Sequence, residues 1–220
     1  MKQLIHNGIL FPKYEPRGFR ITVHGKPLAL SPQQEEMAVA WVRKLGTEYV
    51  EDPIFVRNFF GDFRKALGLG EKLEPADVDF SEIARYVEDD KAKKLSMSKE
   101  KKKRIAAERK ALRETNKAKH GQATVDGEKV DLGNYMAEPS CIFMGRGKHP
   151  LRGKWKQGPS EPDVVLNLSP DAPRPPGKWK EIVWQPDSMW VAKWDDKLRG
   201  EEKYVWLADS STVKQERDID

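Results

Sequence analysis

The sequence predicts an α+β protein, in which a helical, strongly basic lobe and a mixed, β-rich lobe share one chain of 220 residues. Three observations carry that expectation. Two proline-opened segments in the first half place apolar residues at helical spacing. A basic stretch near the middle is too poor in aliphatic side chains to be buried. Six of the seven tryptophans then follow residue 150, most of them in short alternating runs.

Gly8, Pro12, Pro16 and Gly18 punctuate the first 18 residues, which read as an extended segment pinned by Ile9, Leu10 and Phe11. Phe19, Ile21 and Val23 alternate with polar residues, turn at His24-Gly25 and continue through Leu28 and Leu30, the pattern of a small hairpin. Ser31-Pro32-Gln33-Gln34 supplies an N-cap, a proline at the first helical position and a glutamine able to close a capping box. The helix that follows sets Met37, Trp41 and Leu45 on one face and stops at Gly46. Asp52-Pro53 repeats the start signal, and Phe55, Phe59, Phe63 and Leu67 recur every four residues up to Gly68. Nothing polar converges on that stripe, so it reads as core. Asp79 or Ser81 begins a third helix, anchored by Phe80, Ile83, Ala84 and Val87.

Charge then takes over. The net charge is only +5, from 40 basic and 35 acidic side chains, yet residues 91–119 hold 13 basic against 3 acidic residues, a local +10 that leaves −5 for the rest. Such concentration is the electrostatic footprint of a polyanionic partner, and also of a merely solvated face. Ser98 can cap a helix from Lys99 to about Asn116, in which Ile105 and Leu112 are the only large aliphatic residues. That helix should project about 28 Å into solvent, either over a nucleic acid or as a solvated hairpin with its predecessor.

Asp126-Gly127 marks a hairpin between Val125 and Val130. Asp163 to Leu168 reads as a buried strand, 172–177 as a proline-rich connector and Lys178 to Trp184 as a strand with tryptophans on opposite faces. Trp190, Ala192 and Trp194 alternate as one face of a further strand, and Lys203 to Leu207 completes an antiparallel meander. The interleaved Trp and Lys also suggest base stacking, but strand alternation already accounts for most of these rings.

Between these regions lies Cys-Ile-Phe-Met-Gly-Arg-Gly-Lys-His-Pro at 141–150, a short buried strand leading into a glycine-flanked basic loop. Arg146, thrust outward there, can enter a DNA groove or fork onto phosphate oxygens, with Lys148 and His149 beside it; an ordinary surface turn is the alternative. Other chemistries find no pattern. Cys141 is the only cysteine, the histidines His6, His24, His120 and His149 lack metal-ligand spacing, and no phosphate loop, nucleophile elbow or kinase motif is present. Catalytic sets can also assemble from distant positions, but binding is the better inference from these residues, with no cofactor or metal expected. No apolar run approaches the ~20 residues of a membrane span, and the start lacks a signal-peptide core.

Taken together, Gly-Ile-Leu-Phe-Pro-Lys-Tyr-Glu-Pro (8–16), Leu-Ser-Pro (30–32), Ile-Phe-Val-Arg-Asn-Phe-Phe-Gly-Asp-Phe-Arg-Lys (54–65), Met-Ser-Lys-Glu (97–100), Gly-Arg-Gly-Lys-His-Pro (145–150), Pro-Pro-Gly-Lys-Trp-Lys-Glu (175–181) and Lys-Tyr (203–204) resemble the amino-terminal half of the core of eukaryotic-type DNA topoisomerase IB. The resemblance implies the upper lobe of a clamp on double-stranded DNA. Residues 1–18 and 98–220, including the basic helix 98–116, would form a β-rich subdomain on the duplex, and 19–97 a mainly helical cap. The loop 143–151 matches a lip that closes the clamp, with Arg146 in the minor groove and His149, Lys156, Lys203 and Tyr204 on the backbone. Met144 stands where a second lip arginine is common. The family's catalytic arginines, lysine and histidine and its nucleophilic tyrosine lie beyond the matched region, and Tyr14, Tyr49, Tyr86, Tyr135 and Tyr204 occupy no comparable context. The implied partner is thus the catalytic half of the same enzyme, in the same chain or as a separate subunit. A start close to the first motif, without the charged tail of eukaryotic members, points to an archaeal-type protein, in cytoplasm and nucleoid, over a nuclear one. The alternative is a non-enzymatic architectural DNA- or RNA-binding protein.

Overall fold

A computed structural model describes residues 1–217. In chain order the elements are β1 (Leu4–Ile5), β2 (Arg20–Val23), β3 (Lys26–Ala29), α1 (Pro32–Val42), α2 (Pro53–Ala66), β4 (Val78–Asp79), α3 (Ser81–Ser96), α4 (Lys99–His120), β5 (Gln122–Val125) and β6 (Glu128–Asp131). There follow β7 (Cys141–Ile142), β8 (Trp155–Lys156), β9 (Val165–Asn167), β10 (Glu181–Val183), β11 (Trp190–Asp195), β12 (Glu202–Trp206) and α5 (Thr212–Arg217). This is the expected α+β class. Contacts divide the chain into a β-rich unit, made of Met1–Pro12, Lys99–Pro139 and Gly158–Asp220, and a helical unit, made of Lys13–Ser98 and Ser140–Gln157.

In the helical unit, the caps read from sequence form. The Ser31 hydroxyl accepts from Gln34 N while the Gln34 side chain accepts from Ser31 N, and Asp52 Oδ1 accepts from Ile54 N at 2.9 Å. Phe55, Phe59, Phe60 and Phe63 on α2 are fully buried, and Trp41 of α1 stacks on Phe59 at 5.0 Å and meets Phe60 edge-on at 4.8 Å. These rings fasten α1 to α2, and removing one would cost about 3–5 kcal/mol. Leu45, expected on the same face as Trp41, lies past the end of α1 and is exposed. The sheet β3-β2-β4 covers the other side of this core with Ile21 and Val23.

One buried charge organises the entry into this unit. Glu35 of α1 accepts from Tyr14 Oη at 2.7 Å and from the backbone N–H of Arg17 at 2.8 Å and Phe19 at 2.7 Å. Burial pushes its pKa up, but the bonds from Tyr14, Arg17, Phe19 and Gly18 outweigh burial and hold it below the usual carboxylate range. The segment that leads into β2 is therefore tied to α1 by an ionised carboxylate.

In the β-rich unit the expected meander is corrected. The sheet order is β10-β9-β11-β12, with β10 parallel to β9 and antiparallel pairing only from β9 onward. A bulge between Trp190 and Ala192 also overturns the single face read for Trp190, Ala192 and Trp194. Trp190 pairs with Trp206 but Ala192 pairs with Val205, so Trp190 joins Tyr204 on one face while Ala192 and Trp194 enter the core on the other. His6 is buried here, its Nδ1 accepting from Gly8 N and its Nε2 lying 2.8 Å from the Asn167 carbonyl. Burial lowers its pKa to about 4, so the ring is neutral and its Nε2–H donates to Asn167.

The basic helix α4 has no buried residue, and Leu112 is 62% exposed. It runs to His120, beyond the Asn116 expected, because its end is held: Asn7 Nδ2 donates to the Lys119 carbonyl at 2.7 Å and Gly121 N to that of Lys117 at 2.8 Å.

Candidate nucleic-acid interface

The loop after β7 carries three of the expected residues. Arg146 and Lys148 are exposed and enter no ion pair among the described residues, whereas His149 is half-buried. The His149 ring meets Phe143 edge-on at 5.0 Å, and its Nδ1 accepts from Leu151 N at 3.1 Å. A neutral imidazole that accepts at Nδ1 carries its hydrogen on Nε2, which leaves a donor suited to a phosphate oxygen. Gly145, at φ +63, lets the chain approach that ring; a Cβ there would sit 2.6 Å from His149 Cβ. Met144 packs half-buried against the helical core.

Polar residues of α2, on the side not occupied by its phenylalanine stripe, brace the far side of this loop. Asp52, while capping α2 through Oδ1, holds Arg152 Nη1 through Oδ2 at 2.9 Å, and the same Nη1 donates to the Gly147 carbonyl at 2.5 Å. Asn58 Nδ2 donates to the carbonyls of Pro150 and Arg152, each at 2.9 Å. Asp62 accepts from Trp155 N at 2.8 Å and pairs with Lys154 Nζ at 3.2 Å. Gly153, at φ +89, lies against α2, and a Cβ there would fall 2.2 Å from the Phe55 carbonyl oxygen. Arg146 is thus an exposed cation on a loop whose base is fixed at five points to one helix. Sequence reasoning missed this brace. Its signal was present as Asp52, Asn58 and Asp62, in and just before α2, matched by Arg152 and Lys154 just after the loop.

The other expected residues are less available. Lys156, half-buried on β8 opposite Cys141, belongs to the helical unit. Lys203 and Tyr204 adjoin on β12 in the β-rich unit, and both have partners. Lys203 Nζ lies 3.6 Å from Glu201, and Tyr204 Oη donates to Glu202, a bond that raises the phenol's pKa and keeps it protonated. A phosphate would have to replace those carboxylates. Among the described residues no group of three or more His, Cys, Asp or Glu side chains could hold a metal ion, and no helix is long and apolar enough to cross a membrane.

A braced cationic loop and a solvent-exposed cationic helix held near its end are the equipment of a polyanion-binding α+β protein. The chain belongs to the family described as eukaryotic DNA topoisomerase I, DNA binding fragment, which matches residues 1–207. It is 38% identical over 225 residues to DNA topoisomerase 1 beta of Arabidopsis thaliana, a match covering 99% of this chain and 24% of that protein. It is 36% identical to DNA topoisomerase 1 of Candidozyma auris, covering 96% and 29%, and 36% identical to the mitochondrial DNA topoisomerase I of Pan troglodytes, covering 98% and 37%. The chain therefore spans about a quarter to just over a third of these relatives and corresponds to their amino-terminal DNA-binding region. These relatives are eukaryotic, so the expectation of an archaeal-type protein finds no support.

Proposed function

We propose that this chain binds and clamps duplex DNA as the amino-terminal part of a type IB topoisomerase. The complete enzyme would cleave one strand by tyrosine attack on a phosphodiester, hold a 3′-phosphotyrosine, let the duplex rotate and reseal without ATP. The covalent step falls to a catalytic half with which this chain would work, in one polypeptide or as a separate subunit, on chromosomal DNA. The observation that carries the reading is the braced loop: Arg146, exposed and unpaired, stands on a base fixed to α2. Arg146 enters the minor groove, while Lys148, His149, Lys156, Lys203 and Tyr204 meet the backbone. For the lobes, the proposed functional grouping is 1–18 with 98–220 on the duplex and 19–97 as cap.

Such contacts set register with little sequence readout, which suits an enzyme that acts wherever supercoiling accumulates. The test is plasmid relaxation, with this chain alone and joined to the catalytic half. Relaxation is expected only in the joined form, and Arg146→Ala should lower it several-fold without moving the unfolding midpoint. Relaxation by this chain alone, or by neither, would sink the assignment.

A further inference from the structure

We propose that the exposed ring of Trp206 is a stacking platform for an unpaired nucleobase, an inference that rests on the DNA-binding reading above and adds a ligand class to it. Trp190 and Trp194 are 4% and 7% exposed, but Trp206 is 44% exposed. Its ring is not loose. Tyr204 lies against it with centroids 4.8 Å apart at 31°, Trp190 stands edge-on to Tyr204 at 6.1 Å, and the Trp206 carbonyl accepts from Gly133 N at 2.9 Å. An aromatic ring already fixed on one side loses little freedom when a second ring lands on the other.

Beside the backbone contact proposed for Lys203 and Tyr204, the Trp206 ring itself offers its surface to a base. Lys193 pairs with Glu202 at 3.8 Å and Lys203 with Glu201 at 3.6 Å, so the cations of this strand pair already face carboxylates. What remains on offer is a π face, and every base has one. In an intact duplex both faces of each base are covered by its neighbours. The accessible ligand is therefore a base in a gap or other unpaired stretch of DNA.

The test uses the whole chain and two relaxed circular duplexes, which have neither ends nor loops, one intact and one with a short single-stranded gap. The gapped duplex should bind about fivefold more tightly or better, the contribution of one base–aromatic stack. Trp206→Ala should erase that preference and leave the salt slope on the intact duplex unchanged, because a neutral ring releases no counterion. Trp206→Leu, which keeps apolar packing on Tyr204 without a π face, should behave like Trp206→Ala, and Trp206→Phe should retain most of the preference. Equal binding of both duplexes, or a preference that survives in Trp206→Leu, overturns the proposal. Failure to bind either duplex overturns the DNA reading itself, and this inference with it.

Discussion

The loop 143–151 and the helix α4 are both basic, yet they hold their charge in opposite ways. On the loop, the exposed Arg146 and Lys148 are backed by Asp52, Asn58 and Asp62, which tie the following residues to α2. On α4, a 22-residue helix without a buried residue, thirteen-to-three charge asymmetry in and just before the helix has almost no tertiary hold. The first arrangement specifies where one cation points; the second specifies only a field. A field steers and attracts at long range and is screened by salt, whereas a braced arginine can be aimed at a groove.

The sharpest way to break that contrast is Gly153→Ala. Its Cβ would collide with the Phe55 backbone at 2.2 Å in a left-handed conformation, which should cost about 4 kcal/mol or more and loosen the loop from α2. Urea unfolding measures it, and a loss under ~1 kcal/mol would show that the brace is not rigid. Next comes Arg152→Ala, which leaves Asp52 without its partner in a site where the side chains are 14% and 20% exposed; about 3 kcal/mol should be lost. Asp52→Asn should cost less, since asparagine still caps α2.

Acid should separate the two regions through their units. His6 has a folded pKa of about 4, below its unfolded value near 6.5, so between those pH values the unfolded chain binds the proton and the folded β-rich unit does not. Its contribution is full above pH ~6.5 and is lost as pH falls towards 4, about 3 kcal/mol in all. Glu35, held below the usual carboxylate range, should keep the helical unit folded over the same interval. Hydrogen exchange resolved by unit reads the difference, and His6→Gln should flatten the acid limb.

The smallest stability effect is expected on α4. Replacing Lys102, Lys103 and Arg104 by glutamine should move unfolding by no more than about 0.5 kcal/mol, while log K for duplex DNA becomes less steep in log salt by up to ~0.9 for each phosphate contact removed. A large stability loss there would mean that α4 is held by more than its end.

What could be read in advance was local. Ser31, Asp52 and the four-residue phenylalanine period announce α1 and α2 because caps and periodicity act within one turn, and Asp126-Gly127 announces its hairpin for the same reason. The parallel pairing of β10 with β9 depends on residues far apart in the chain, and the bulge at Trp190 depends on its pairing with β12, so neither leaves a local trace. The candidate site divided similarly. Arg146 was visible from its flanking glycines, but Asp52 read only as a cap, because nothing near it in sequence shows that its second oxygen reaches Arg152, a hundred residues on.

The chain passes between its two units four times, at 12/13, 98/99, 139/140 and 157/158. During synthesis, then, the helical unit has its helices by residue 98 but must wait until residue 157 has emerged before Asp52, Asn58 and Asp62 find their partners. Until that moment Asn58 and Asp62 are without these partners, and Asp52 has only its cap on Ile54. The order in which the ribosome delivers the chain makes the loop bearing Arg146 the last part of its unit to be set, and a polypeptide stopped anywhere between 98 and 140 would carry the aromatic core without the surface it exists to support.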